Sequence, residues 1–400
     1  MRDIDLATRA ETVGSLLRTD EVIQAARGAV TAAGSEAGWT SGGDSGIPDA
    51  AARAKLLDDA VLEAIRLQED AGLDVITDGE VRRVAWAQTP RFADCFEVTP
   101  GRGTLNWRGG TRQPGGGGNL RAPTGYPAVV RRVSEAPRTG NMADEYAFLA
   151  RHARARTKFT MAAPSYHRRY WSEEHSTAAY GNCEEFLTEI RDYLREVVRD
   201  LVTLGCDYIQ LDAPNYGSLC DRDTRARMAA DGHDLDAELA FDAELDNSLF
   251  DGVTGVTTAL HICRGNGPGG AWHSAGGYGA ISAGLFPRLA FDRLLLEYDS
   301  DRAGTFGPLA DVRPGTVVVL GLLTTKSGQL EDAGAVEARV REAAQVKPLD
   351  ELALSTQCGF ASVPGANPVS PAQQRAKLGL VAGLARRIWP DASRREDGRP

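Results

Sequence analysis

The chain has 400 residues, with 45 lysines and arginines against 55 aspartates and glutamates, for a net charge of −10. Hydrophobic residues at 42% and charged residues at 25% are the proportions of a folded globular chain, which excludes disordered, collagen-like and disulfide-scaffold classes. The acidic balance argues against a nucleic-acid partner or an anionic membrane surface, since both need a basic face.

No run approaches the roughly 18 uncharged apolar residues needed to cross a bilayer. Met1-Arg2-Asp3-Ile4-Asp5 lacks the apolar core of a secretory signal. A cytoplasmic protein with reduced thiols is therefore expected, and nothing in the sequence opposes assembly into a homo-oligomer. The six cysteines, at 95, 183, 206, 220, 263 and 358, are too sparse for a stapled fold.

In chain order, eight short apolar runs read as strands: 12–16, 73–80, 158–164, 206–212, 258–263, 294–298, 316–321 and 352–358. Helical spacing of apolar residues fills much of the intervening sequence, at 51–71, 183–204, 335–344 and 371–388. Apolar strands alternating with amphipathic helices imply parallel strands buried on both faces. Eight such units over about 250 or more residues fit an α/β fold of the closed (β/α)₈ barrel type. A doubly wound open sheet is the alternative, weakened by the lack of a glycine-rich dinucleotide fingerprint after the first strand.

The barrel is expected over residues 1–390. Within it, a hairpin-bearing insertion at about 98–150 separates strands two and three. The run Gly115-Gly116-Gly117-Gly118 lacks the Lys-Ser/Thr ending of a phosphate cradle and reads as a surface loop. Residues 28–50, rich in Gly, Ala and Ser, also read as a loop, and residues 391–400 as a frayed tail.

In such barrels the functional side chains stand at the C-terminal strand ends. Those positions hold Ser15, Asp78, Glu80, Asp212, His261, Cys263, Glu297, Lys326 and Cys358, and the N-terminal ends show nothing comparable. His261 and Cys263 are two apart on a strand and so project to one side. Alone, that pair reads as readily as a packed thiol beside a hydrogen-bonded imidazole. Barrel closure would add Glu297 and Cys358, a nitrogen, two sulfurs and a carboxylate, which suits tetrahedral zinc. The other four cysteines are assigned to packing. Glu80 reads either as a salt-bridge partner of Arg82 or Arg83 or, with Asp212, as an anchor for a cationic amine, since a desolvated ammonium needs paired anions. Ser15, after Gly14 in a tight turn, can donate to a carboxylate. Trp86 and Trp171 could offer stacking surfaces, and His167 and His175 fall in the loop after the third strand.

Together these residues resemble the catalytic domain of the cobalamin-independent methionine synthase family, in the uroporphyrinogen-decarboxylase-like barrel superfamily. The resemblance runs from Thr12 to about Ile388. It is carried by Thr12-Val13-Gly14-Ser15, the segment Gln68 to Glu80, Tyr208 to Asp212, His261-Ile262-Cys263-Arg264-Gly265-Asn266, Leu296-Glu297 and Gln357-Cys358-Gly359-Phe360. It implies a zinc ion on His261, Cys263, Glu297 and Cys358. It implies a thiol such as homocysteine as methyl acceptor, with Ser15 facing its carboxylate and Glu80 with Asp212 its amine. Asp212 and Lys326 are the catalytic candidates. Lys326, in Thr324-Thr325-Lys326, stands where the family places a catalytic histidine and could donate a proton or bind an anion. Asp212-Ala213-Pro214 replaces an Asp-Glu-Pro run. The family's long form carries a second, N-terminal barrel; this sequence looks like the single-barrel subgroup. A relative chemistry is thiol alkylation of the epoxyalkane:coenzyme M transferase type, for which Arg82, Arg83 and Arg264 could bind a sulfonate. A non-catalytic metal-binding barrel is a third reading.

Overall fold

The computed structural model describes residues 8–29, 49–87, 95–98, 104–109, 120–123, 127–135, 142–363 and 367–390. The opening pentapeptide, the tetraglycine run, most of the 28–50 stretch and the 391–400 tail lie outside the described residues.

Nine parallel segments form one sheet. They are β1 (Ala10–Glu11), β2 (Val75–Ile76), β7 (Arg156–Thr157), β8 (Phe159–Ala162), β9 (Tyr208–Asp212), β10 (Thr257–Ile262), β11 (Arg293–Glu297), β12 (Val317–Leu323) and β13 (Leu352–Thr356), in the order β7-β2-β1-β13-β12-β11-β10-β9-β8. The two outermost segments, β7 and β8, are consecutive in sequence and separated by Lys158 alone. The Lys158 amide donates to the Ile76 carbonyl at 2.9 Å. The two edges are thus halves of one strand, and the sheet closes into an eight-stranded barrel without a free edge. Between β2 and β7 lie two antiparallel pairs, β3 (Phe96–Val98) with β6 (Pro127–Val129) and β4 (Thr104–Trp107) with β5 (Leu120–Pro123). The expected hairpin-bearing insertion is present.

The outer helices start and stop where side chains satisfy their ends. Asp49 accepts the Ala51 amide ahead of the helix Ala50–Ala71, which ends at Gly72 in the left-handed region. Asn182 accepts the Glu185 amide ahead of Cys183–Thr203. Ser370 and Gln373 form a reciprocal capping box at Pro371–Ile388. Their apolar faces pack on the outside of the strands in one large core. A second, inner core of Val13, Val75, Tyr208, Ala259, Leu295, Val317, Val319 and Ala353 fills the barrel.

Two expectations are corrected. The first strand is Ala10–Glu11, and Thr12 to Ser15 form the turn beyond it. The N-terminal half of the barrel is also not free of polar groups. Glu11, wholly buried, accepts from Lys158 Nζ at 2.6 Å, Arg293 Nη2 at 2.9 Å and the Tyr208 hydroxyl at 2.9 Å. Burial opposes ionisation of Glu11, but Lys158 and Arg293 hold its carboxyl below the ordinary range. No helix among the described residues is long and apolar enough to cross a membrane.

Candidate metal centre and substrate cavity

β10 ends with His261-Ile262, so Cys263 follows on the His261 side. β11 ends with Glu297, and Cys358 lies two residues past β13. Barrel closure brings these strand ends together. One ligand atom from each of His261, Cys263, Glu297 and Cys358 falls within 4.8 Å of all the others, and all four residues are buried. The two sulfurs are 3.7 Å apart and both thiols are free.

The surroundings aim these atoms. The His261 Nδ1 hydrogen-bonds the Leu295 carbonyl at 3.1 Å, which leaves Nε2 buried with no hydrogen-bond partner. A buried ring nitrogen without a partner is costly unless a cation takes its lone pair. Glu297 accepts from Gln357 Nε2 at 2.6 Å and from the Arg264 amide at 3.1 Å. Gln357 is itself held by the Thr325 hydroxyl, which donates to its Oε1 at 3.0 Å. Burial opposes ionisation of Glu297, yet Lys326, Arg302 and Arg264 lower its pKa. Cys358 is held well below the usual thiol range, first by the Cys263 hydrogen bond and then by His261, against its burial. The Gly265 amide donates to Cys263 Sγ at 3.2 Å. Burial disfavours charge on His261, but Cys358, Asp212 and Glu297 push its pKa up to about 9. Cys263, in contrast to Cys358, is pushed well above the usual thiol range by the hydrogen bond between them and by burial. The mixed N, S and O donors of the cluster fit a metal ion.

Beside the cluster opens a cavity of about 100 Å³. Ser15, Glu80, Asp212, His261, Cys263 and Cys358 all line it. Glu80 has φ 55°, rare for a residue with a side chain, and follows Gly79 at φ 72°. The Asp78 carboxylate accepts the Glu80 amide at 2.9 Å, and the Thr160 hydroxyl donates to Glu80 Oε1 at 2.7 Å. A Cβ on Gly14 would lie 2.3 Å from that same oxygen, so a larger residue there would displace the Glu80 carboxylate. Burial pushes Glu80 up to about 7, against Arg83 and with help from Asp212. Burial likewise pushes Asp212 up to about 6, against His261 and a 2.8 Å hydrogen bond from Gln210. Two carboxylates thus face the cavity, with the Arg83 guanidinium no nearer to Glu80 than 4.0 Å.

The alternative partners of Glu80 are engaged elsewhere. Arg82 pairs with Asp58. Arg83 reaches Glu145 at 2.8 Å and only approaches Glu80, at 4.0 Å. The ammonium of Lys326 donates to the Gly265 carbonyl at 2.8 Å and to Asn266 Oδ1 at 3.1 Å; it secures the loop after β10 from outside the cavity lining. Cys95, Cys183, Cys206 and Cys220 are buried and outside the cavity lining, and they form no disulfide among the described residues. Trp86 lines the cavity and tilts against Tyr166 at 4.7 Å, whereas the Trp171 indole donates to Glu173. His167 is buried, its Nδ1 3.1 Å from the Ala163 carbonyl; burial lowers its pKa to about 4. His175 lies near Glu174 at 3.7 Å. Trp107, Tyr166, Arg169, Asn266 and His273 also line the cavity. Sequence reasoning missed these, because Trp107 ends a four-residue strand of the insertion and the others sit on a short 3-10 turn or loops, too short for periodicity to mark an inward face.

Fold and site define a (β/α)₈ barrel with a buried Cys₂-His-Glu cluster and two buried carboxylates at its C-terminal mouth. No family model matches the sequence. Bacillus subtilis YxjH is 32% identical over 336 residues, 82% of this chain and 84% of the relative. Bacillus subtilis YxjG is 30% identical over 388 residues, 95% and 94%. The chain belongs to the family of these two proteins. A more distant relative is 2-hydroxypropyl-CoM lyase from Xanthobacter autotrophicus, 24% identical over 353 residues, 80% of this chain and 83% of that enzyme. Among solved structures, a candidate vitamin-B12-independent methionine synthase from Listeria monocytogenes matches with TM-score 0.65 and 25% identity, over 95% of this chain and 98% of that one. A B12-independent methionine synthase from Shewanella sp. W3-18-1, in complex with selenomethionine, shares the fold with TM-score 0.63 and 19% identity, over 97% and 99%.

Proposed function

We propose that this protein is a zinc-dependent methyltransferase that methylates a thiol such as homocysteine without cobalamin in the protein. The observation that supports this best is the convergence of four ligand atoms within 4.8 Å beside a cavity lined by Ser15, Glu80 and Asp212. A tetrahedral site with zinc–sulfur bonds of about 2.3 Å spaces its sulfurs by about 3.8 Å, and Cys263 and Cys358 stand at 3.7 Å. His261, Cys263, Glu297 and Cys358 would hold the ion, which would keep a bound thiol deprotonated near neutral pH.

The chain's own residues do the rest. Ser15 donates its hydroxyl to the substrate carboxylate. Glu80 and Asp212 accept from its ammonium, which supplies the counter-charge their burial lacks. Fixing both ends of an amino acid leaves its side-chain sulfur aimed at the cluster. Lys326 holds the Gly265–Asn266 carbonyl edge, and so the amide that hydrogen-bonds Cys263. The methyl donor occupies the remaining space, and partners are small molecules only.

Purified protein is expected to carry about one zinc per chain, lost in Cys263→Ala and Cys358→Ala, as read by elemental analysis. Activity is expected in a screen of methyl-folates and methylcobalamin against homocysteine. A metal-free protein of full activity would overturn the proposal.

The lyase relative favours a second reading, alkyl transfer to a sulfonated thiol. A sulfonate needs cations, yet Arg82 and Arg83 are paired with Asp58 and Glu145, and Arg264 lies over the Tyr278 ring at 3.9 Å. Only Arg169, among the described arginines, lines the cavity. Coenzyme M outcompeting homocysteine in the screen would favour this second reading.

A further inference from the structure

The insertion between the second and third barrel strands plays no part in the chemistry above, yet one of its residues reaches the cavity. Trp107, the last residue of β4, is 7% exposed and lines the cavity wall. The next residue, Arg108, pairs backbone to backbone with Trp272, at 2.7 and 3.0 Å. Its guanidinium reaches Asp221 at 2.7 Å, and Asp221 also accepts the Ala275 amide at 3.0 Å. The end of β4 is thereby stitched to residues 264–275, the loop that continues from Cys263.

The packing there is close. A Cβ on Gly267 would lie 2.2 Å from the Trp107 ring, and one on Gly109 would lie 1.9 Å from the Trp272 ring. Trp107 meets His273 edge-on with centroids 5.8 Å apart, and a Cβ on Gly265 would strike His273 at 2.3 Å. Gly265 is the residue whose amide bonds Cys263 Sγ. The Trp107 indole and the His273 imidazole thus form one wall of the cavity beside the loop that bonds Cys263, with glycines clearing the room they need.

We propose that Trp107 is a specificity-determining residue that limits how bulky a thiol can be near its sulfur and still reach the metal cluster. The inference rests on the thiol reading above. An indole has nothing to offer the reacting atoms, so its role is exclusion, and a buried wall of fixed shape can discriminate by tenfold or so for each added methylene.

The test uses the full chain with cobalt in place of zinc. Homocysteine and penicillamine, whose two methyl groups crowd the sulfur, are titrated against the thiolate-to-cobalt absorption band. Wild type is expected to favour homocysteine. Trp107→Ala is expected to narrow the ratio of the two apparent affinities by about tenfold, with far-ultraviolet circular dichroism and cobalt content unchanged. If Trp107→Ala fails to hold cobalt, Trp107→Phe decides: an intermediate ratio supports the role and an unchanged one overturns it. A wild type that responds to thiols, with the same ratio in Trp107→Ala, overturns this inference alone. A wild type whose spectrum ignores every thiol overturns the thiol reading and this inference with it.

Discussion

Glu80 is a carboxylate placed where folding alone would not place one. Its backbone lies in the left-handed region at φ 55°, and its side chain is buried against Thr160 and Gly14. Strain and burial together mark a position kept for use. Its pKa is raised from 4.5 to about 7, chiefly by burial. The folded chain therefore binds more protons than the unfolded chain between those values, so stability falls as pH rises through that window. At pH 8 the full cost of ionising it applies, ~3 kcal/mol. Glu80→Gln, which keeps the Thr160 contact, is expected to raise the melting temperature at pH 8 and to change it little at pH 5. The same variant is expected to weaken homocysteine binding by about tenfold or more, since an ammonium loses a charge-assisted hydrogen bond. For wild type, homocysteine affinity is expected to fall as pH drops from 8 to 6 and Glu80 protonates. Equal melting temperatures for variant and wild type at pH 8 would show that the carboxylate carries no such cost.

At the level of elements, the site is a matter of strand ends and what holds them. Gly321 on β12 is a case: a Cβ there would lie 2.9 Å from Gln357 Cα and 3.0 Å from the Leu296 carbonyl. This close approach of β11, β12 and the end of β13 lets Gln357 reach across to Glu297. Gln357→Leu fills the same volume without donating, so Glu297 loses its 2.6 Å partner. Metal affinity is expected to fall by about 10- to 100-fold, measured by competition with a chromogenic chelator, while circular dichroism stays that of wild type. An unchanged affinity would mean that the Arg264 amide orients Glu297 by itself. Much of this was legible in the sequence. Apolar runs ending in Asp212, His261 and Glu297 stood out because fully buried parallel strands carry no alternation to blur their ends. The first strand was shifted because Glu11 is polar yet points into the barrel, where pattern reading expects an apolar residue. Lys158 was read as the start of a strand, whereas it is the hinge between β7 and β8. Trp107 was beyond reach, because its place depends on the pairing of Arg108 with Trp272 and on its own contact with His273, far along the chain and encoded in no local spacing.

Across the whole molecule, the buried charges at the base and the anchors at the mouth form one connected network. Lys158 Nζ donates to Glu11 at 2.6 Å and also to Gln210 Oε1 at 2.7 Å. Gln210 then turns its amide nitrogen to Asp212 Oδ1 at 2.8 Å. An amide side chain is nearly symmetric in shape, so only its partners decide which end faces Asp212. Lys158 claims the oxygen and Asp212 accepts from the nitrogen, so both partners fix the same orientation. The base thus stabilises the barrel and, through Gln210, orients the Asp212 carboxylate that faces the cavity. Lys158→Met removes one partner of a buried pair, which costs about 3–5 kcal/mol, so the urea midpoint is expected to fall. Arg293 and Tyr208 still cover Glu11, which keeps the variant folded in buffer. Glu11 is held below its unfolded value of 4.5, so its contribution is complete above that pH and is lost as pH falls through the folded value. The variant is accordingly expected to differ most from wild type near neutrality and least in acid. With Gln210 no longer anchored through its oxygen, its hold on Asp212 loosens, so homocysteine affinity is expected to drop while zinc stays at one per chain, because none of the four ligands touches Lys158. Reduced stability with unchanged affinity would confine the network to a structural role; loss of zinc would mean that the base and the metal centre are coupled more tightly than these contacts allow.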